Sequence, residues 1–438
     1  MPSITIDNAV MMHGLESKAC SAFLQELAEA RTFCGHRLGA LGKAIADGDA
    51  AKELENRTWL LTNPRSALAS VIRVNAKLPP NRRTPLEKCR LIASQINLGK
   101  PITEQVRVRT KKKNDGGLRI YSDFGIEHRA RQAMVGSVMR AYHQPKPWQF
   151  GLAGVHNAVG AARDRILAGA GFAAHLDIIN FHGSFDPDQL PLELPLPPEV
   201  VESTVVGRLM ETVLDQGSGT HVYDSPHTIS ALLTTARQGL PSGSSCSSIV
   251  ADFALAHLDW PQADQEALIN VVDNFLLFAP TMLALEKRIE ELQKSVGQLP
   301  GGQFKLRTLC KGEISHPIEF LGHEFTMKDG KLRIVPSAAN WERLLKVLNK
   351  HDSTYCSASY GLSGKYPDRI KNALASMYAF ADGWLKAFQL CSEIDEMREW
   401  AMSEIGDRGK AQGLSLQAIA SAVDPSMGYS HSGYDFSS

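Results

Sequence analysis

The sequence predicts an α+β chain with an N-terminal helical region, and three patterns predict it. Two short apolar runs of strand character, Phe172–Phe181 and Ile269–Phe278, each present one aspartate, Asp177 and Asp273, where a buried strand should run out. Between them lie a Gly-rich turn, Gln238-Gly239-Leu240-Pro241-Ser242-Gly243, and a serine-rich helix start at Ser247-Ser248. On both sides of this centre the chain changes to the Ala, Leu and Glu spacing of helices. Two carboxylates brought together across a sheet are a natural seat for paired divalent cations.

The elements follow in order. Ser17 to Leu61 reads as an N-terminal helical layer, and Ser66 to Asn75 as a further helix ahead of the breaker-rich Pro79-Pro80-Asn81-Arg82-Arg83-Thr84-Pro85. Leu86 to Asn97 is again helical. From Val106 the pattern alternates, turns at Asn114-Asp115-Gly116-Gly117 and resumes as Leu118-Arg119-Ile120-Tyr121, a hairpin with its charges on one face. Glu127–Tyr142 and Asn157–Leu167 are amphipathic helices, and the proline-dense Pro187–Val200 is expected to be a surface insertion. After Asp273 come a helix at Leu283–Val296, a strand at Phe304-Lys305-Leu306 and a short hairpin at Ile318–Phe325. Helices are expected at Asn340–Leu348, Asp368–Leu390 and Glu393–Ile405, and the aliphatic-poor end, Met427–Ser438, is expected to be a mobile tail.

Composition narrows the class. A chain of 438 residues can bury a substantial core and is long enough for more than one lobe. Lys+Arg and Asp+Glu are equal at 47 each, so any attraction for nucleic acid must be local; Arg107-Val108-Arg109-Thr110-Lys111-Lys112-Lys113 is the clearest such stripe, with a solvated hairpin as the alternative. The seven cysteines are scattered without C-x-x-C spacing, which argues for a reduced, cytoplasmic protein without structural zinc. No uncharged apolar run approaches the roughly 18 residues of a membrane span.

Together these segments resemble bacterial reverse transcriptases, in particular the group II intron, retron and defence-associated branches. Lys112-Lys113 through Arg119 and the helix from Glu127 look like that family's fingers hairpin and its following helix; Phe150–Val159 is similar to the Gly-Phe segment before the first catalytic strand. Asp177-Ile178-Ile179-Asn180-Phe181 matches the first catalytic motif and Gly239–Gly243 through Asp252 the second, while Val271-Val272-Asp273-Asn274 stands where the family carries Tyr-x-Asp-Asp. Phe320-Leu321-Gly322 matches the primer-grip hairpin, and Gly383–Phe388 looks like the thumb helix.

The resemblance implies a right-hand polymerase with an antiparallel palm sheet: residues 1–100 the N-terminal helical region, 101–334 fingers and palm, 335–426 an α-helical thumb, and 427–438 the tail. It implies an RNA-directed DNA polymerase, a magnesium-dependent nucleotidyltransferase with two Mg2+ ions, or Mn2+ in their place. Asp177 and Asp273, with Ile178 beside them, would hold the metal, and Asn274 would complete the catalytic set. Lys113, Arg119, Phe181, His182, Ser242 and Gly243 would bind the nucleotide. The implied partners are an RNA template, a nucleic-acid or protein primer, dNTPs and a dedicated non-coding RNA or partner protein, with a role in antiviral defence and no membrane.

Three positions leave the family pattern. Asn274 replaces a second aspartate and supplies a neutral carbonyl oxygen, so metal affinity should fall, yet the chemistry need not vanish. His182 stands where an aromatic ring normally collides with a ribose 2′-hydroxyl; either the imidazole weakens that exclusion or Phe181 takes it over. Ser242 replaces a glutamine that packs on the incoming nucleotide. Two rival readings therefore stay open, an RNA-dependent RNA polymerase and a catalytically inactive nucleic-acid-binding scaffold. Further assignments have plain alternatives: Lys305 or Lys311 as general acid or a surface lysine, Trp384 as a stacking platform or core, and Tyr429 and Tyr434 as priming hydroxyls or part of an inert tail.

Overall fold

The computed structural model describes residues 18–78, 82–112, 118–215, 226–358 and 366–411. Ten strands lie within them: β1 Val106–Lys112, β2 Leu118–Asp123, β3 Phe172–Ile178, β4 Thr212–Leu214, β5 Leu268–Val271, β6 Asn274–Ala279, β7 Leu306–Glu313, β8 Ile318–Phe320, β9 His323–Lys328 and β10 Lys331–Pro336. With the helices that surround them they make a mixed α+β chain whose N-terminal region is helical. The chain divides into two compact units, each assembled from separated segments. The first draws on Met1–Gly151, Ile178–Gln262 and Glu291–Arg307, the second on Leu152–Asp177, Ala263–Glu290 and Thr308–Ser438.

In the first unit the expected N-terminal layer is two helices, Lys18–Asp47 and Ala50–Thr62, because Gly48 takes φ 69° and Asp49 then caps the second, its carboxylate accepting from the Lys52 amide at 3.1 Å. Asn63 caps the next helix, Pro64–Ala76, in the same way, with Pro64 at the first position where its missing N–H costs nothing. β1 and β2 form the expected hairpin, paired from Arg107↔Asp123 to Lys112↔Leu118, and β4 adds to the other edge of β1 in parallel. Val106 and Val108 are buried while Arg107 and Lys111 face out, as alternation requires. Arg109 of this basic stripe is ion-paired with Asp123 at 3.1 Å and Asp215 at 2.7 Å.

One expectation is corrected here. Pro187–Val200 is not a surface insertion: Leu190, Leu194, Leu196 and Val200 are all buried. Its prolines start the short helical turns Leu190–Glu193 and Pro198–Val200, which bury Leu190 and Val200.

In the second unit β3, β5, β6 and β7 form a sheet of order β5-β6-β3-β7. β6 and β3 are central, and Phe275, Leu276, Leu277 and Phe278 are at most 3% exposed, which is why both runs read as continuous apolar stretches rather than alternating ones. Of the short strand expected at Phe304-Lys305-Leu306 only Leu306 is in a strand, the first residue of β7. β8, β9 and β10 make a separate antiparallel sheet, with tight turns at Leu321-Gly322 and Asp329-Gly330 whose four residues all have positive φ. The helices Ala338–Ala358, Tyr366–Ala387 and Ile394–Ala411 follow. Trp384 is 2% exposed and packs on Trp341 and Phe388, so it is core and not a stacking platform. No helix among the described residues is long and apolar enough to cross a membrane.

Candidate active site

In the second unit, β5 and β6 are joined by a two-residue turn, Val272-Asp273, closed by the pair Val271↔Asn274. Val272 has φ 55°, a left-handed backbone that a β-branched residue resists at a cost of about 1–2 kcal/mol. Asn270, fully buried, holds the turn: its Nδ2 donates to the Val272 carbonyl at 2.9 Å and the Asn274 carbonyl at 3.2 Å. β3 lies along the other edge of β6 with Asp177 directly opposite Asn274. The register therefore brings Asp177 and the Asp273-Asn274 turn to one end of the sheet. Both aspartates are part-exposed, while Leu176 and Phe275, paired one position further along the strands and on the opposite face, are buried.

Asn274 is committed to neighbours. Its Nδ2 donates to Asp273 Oδ1 at 2.9 Å and its Oδ1 accepts from His175 Nε2 at 2.9 Å. His175 and Asp177 alternate on the same face of β3, which is why the imidazole reaches Asn274. Burial lowers the His175 pKa from its ordinary value, against the upward pulls of its hydrogen bonds to Asn274 and the Glu319 backbone and of the Asp177 and Glu319 charges. Ile178 is buried, which leaves only its main-chain oxygen as a donor.

Among the described residues no group of three or more His, Cys, Asp or Glu side chains could hold a metal. The donor set fits magnesium nevertheless, because that ion is commonly held by one or two carboxylates and completes its shell with water and substrate phosphates.

In the first unit three segments meet. The Ser122 amide of β2 donates to the Ser242 carbonyl at 2.9 Å, and Gly243, at φ 95°, lies so close that a Cβ would stand 2.5 Å from the Ser122 carbonyl. Gly239, at φ 56°, would place a Cβ 2.1 Å from the His182 carbonyl, which accepts from the Leu240 amide at 2.8 Å. His182, Ser242 and Gly243 are thus brought into one contact network with β2, the strand that also carries the exposed Arg119. The His182 Nε2 is buried without a hydrogen-bond partner, and burial lowers the ring's pKa.

Phe181 is the residue of this group that the structure reassigns. It is 3% exposed, with its ring 5.2 Å from Phe185 and 5.5 Å from Phe304, so the ring packs in the core.

Of the remaining candidates, Phe320 is fully buried and meets the His175 ring edge-on at 5.3 Å, while Leu321 and Gly322 form the turn that follows. Lys311 is a surface lysine paired with Glu286 at 2.9 Å. Lys113, Tyr429 and Tyr434 lie outside the described residues. His175 and Asn270 were not expected from the sequence; Asp252, which closes the second motif, has its carboxyl pushed up to about 6 by burial. Its Oδ1 has no hydrogen-bond partner, and a Cβ on Gly151 would stand 2.4 Å from Oδ2.

The sequence matches no protein-family model and no curated protein. Among solved structures the chain is similar to the sicinivirus 3Dpol RNA-dependent RNA polymerase, at 14% identity and TM-score 0.36, over 74% of this chain and 69% of that one. It is also similar to telomerase from Candida albicans (12% identity, TM-score 0.32) and from Candida tropicalis (11%, 0.35), both in complex with a TWJ fragment of telomeric RNA. Each telomerase match covers 74% of this chain and 64% of the telomerase, less than two thirds of its length.

Proposed function

We propose that the chain is a nucleotidyltransferase that extends a primer on a template, with RNA-directed DNA synthesis as its reaction. The observation that carries this reading is the Asp177↔Asn274 pairing, which sets one aspartate beside the strained turn that presents the other. Strain of this kind persists only where surrounding contacts over-determine it, and the buried Asn270 supplies them. Two carboxylates brought to one end of a sheet are the kind of donor pair that holds a divalent cation.

Asp177 and Asp273, with the Ile178 carbonyl, would hold Mg2+, which when bound lowers the pKa of an attacking hydroxyl and stabilises a leaving pyrophosphate. Asn274 keeps Asp273 oriented and is not itself a ligand. Arg119 would clamp phosphate through its planar fork, and Lys113 would join it. Ser242 and Gly243 would let the backbone approach the nucleotide closely. Fingers and palm would run over 101–334 and the thumb over 335–426, with Phe320, Leu321 and Gly322 supporting the primer. The proposed partners are an RNA template, a primer and dNTPs, and the proposed setting is antiviral defence.

A second reading, RNA-dependent RNA synthesis, is favoured by one observation. His182 stands five residues after Asp177, and its buried Nε2 lacks a partner, a group that a ribose 2′-hydroxyl would satisfy. Extension of a primed RNA template by the purified protein, with dNTPs and rNTPs offered separately, tests both. Product from dNTPs is expected; product from rNTPs alone establishes the second reading, and product from neither removes both.

A further inference from the structure

We propose that His175 is a positioning residue for the Asp273 carboxylate, acting through the side chain of Asn274. This rests on the reading of Asp273 as a cation ligand and adds to it a residue that neither aspartate motif contains.

The geometry leaves one arrangement of the three groups. A carboxylate only accepts hydrogen bonds, so the Asn274 amide must turn its NH2 towards Asp273 Oδ1, 2.9 Å away. That turns the amide oxygen towards the ring, and His175 Nε2, 2.9 Å away, must then carry a hydrogen. The ring is held in turn from β8, by a hydrogen bond with the Glu319 backbone and by the edge-on contact of Phe320 at 5.3 Å. A line of contacts therefore runs from β8 through His175 and Asn274 to the turn of β5 and β6. The exchange of an anion for an amide at 274 is coherent with this line. A second aspartate would repel Asp273 and accept where the amide donates; the amide orients Asp273 by an N–H that is itself set by the imidazole. Groups in this outer position hold a ligand in its binding rotamer, and their loss ordinarily weakens metal binding by about 10–100-fold.

The test measures Mn2+ binding to the metal-free protein from the electron paramagnetic resonance signal of the free ion. Wild type, His175→Phe, His175→Gln, Asn274→Leu and the double variant His175→Phe/Asn274→Leu are compared. Phe keeps a ring beside Phe320 without the N–H, whereas Gln restores an N–H. His175→Phe and Asn274→Leu are each expected to weaken Mn2+ binding by roughly tenfold or more. The double variant should bind no more weakly than the worse single one, and His175→Gln should recover most of the loss. Wild-type affinity in His175→Phe or Asn274→Leu overturns the proposal, as does a His175→Gln variant as weak as His175→Phe. Should His175→Phe not fold, His175→Gln and Asn274→Leu decide the matter from the two ends of the line.

The same variants distinguish this inference from the reading beneath it. A wild type that binds no Mn2+ removes the two-carboxylate metal centre. The hydrogen-bonded line is then judged by urea midpoints of the metal-free proteins: a double variant that loses less than the summed losses supports it, and additive losses overturn it.

Discussion

Val272 holds a left-handed backbone against the preference of its branched side chain, and it does so beside a candidate cation ligand. Val272→Gly removes that opposition, so the urea midpoint should not fall, although glycine in an ordinary strand position costs about 0.5–1 kcal/mol. Nucleotide incorporation should fall by about 10–100-fold, because the freed turn no longer fixes Asp273. Comparing midpoints with single-turnover rates checks the split. Asp252 is 3% exposed. Its folded pKa of about 6 exceeds the ordinary 3.8, so between those values the folded state binds the extra proton and stability falls as pH rises. Asp252→Asn removes this limb and should raise stability above pH 6 by about 3 kcal/mol. Denaturation midpoints at pH 5 and pH 8 measure it, with the gain larger at pH 8. His323 acts oppositely: burial lowers its pKa to about 4, so stability is lost as pH falls from about 6.5 towards 4.

The turn from Gly239 to Gly243 is an element defined by backbone contact and not by side chains. Both glycines combine positive φ with a main-chain oxygen where a Cβ would stand, so Gly239→Ala and Gly243→Ala should each destabilise by about 2–4 kcal/mol. Gly169 also has positive φ, 104°, but open space around it, and Gly169→Ala should cost only about 1 kcal/mol. Thermal or urea unfolding of the three variants checks the contrast. This turn was legible in the sequence because its glycines mark it, and β3 and β6 were legible because strands buried on both faces are continuous apolar runs. β7 was largely missed because most of its residues are exposed and carry no apolar alternation. β10 was missed although Asp329-Gly330 is a hairpin signal. The two aspartates could be named from spacing alone, but the His175–Asn274 contact could not, since it joins residues 99 apart diagonally across β3 and β6 and exists only once Asp177 pairs with Asn274. Spacing also left Phe181 and His182 as alternatives; the aromatic cluster with Phe185 and Phe304 takes Phe181 into the core.

Across the whole molecule, each compact unit is assembled from segments far apart in sequence. The first contains the turn that joins His182 to Gly239–Gly243, and the second contains the aspartate pair. Equal numbers of acidic and basic residues give no overall attraction for nucleic acid, and Arg109 is engaged internally. The proposed polymerase activity therefore depends on the chemistry at Asp177 and Asp273. Single-turnover incorporation of one complementary nucleotide into a primed RNA template, with Mg2+, is compared between wild type, Asp177→Asn and Asp273→Asn. The account predicts incorporation by wild type and a loss of about a thousandfold in each variant, as expected for several kcal/mol of metal-borne stabilisation, with folding intact. Incorporation that persists at the wild-type rate in either folded variant contradicts it.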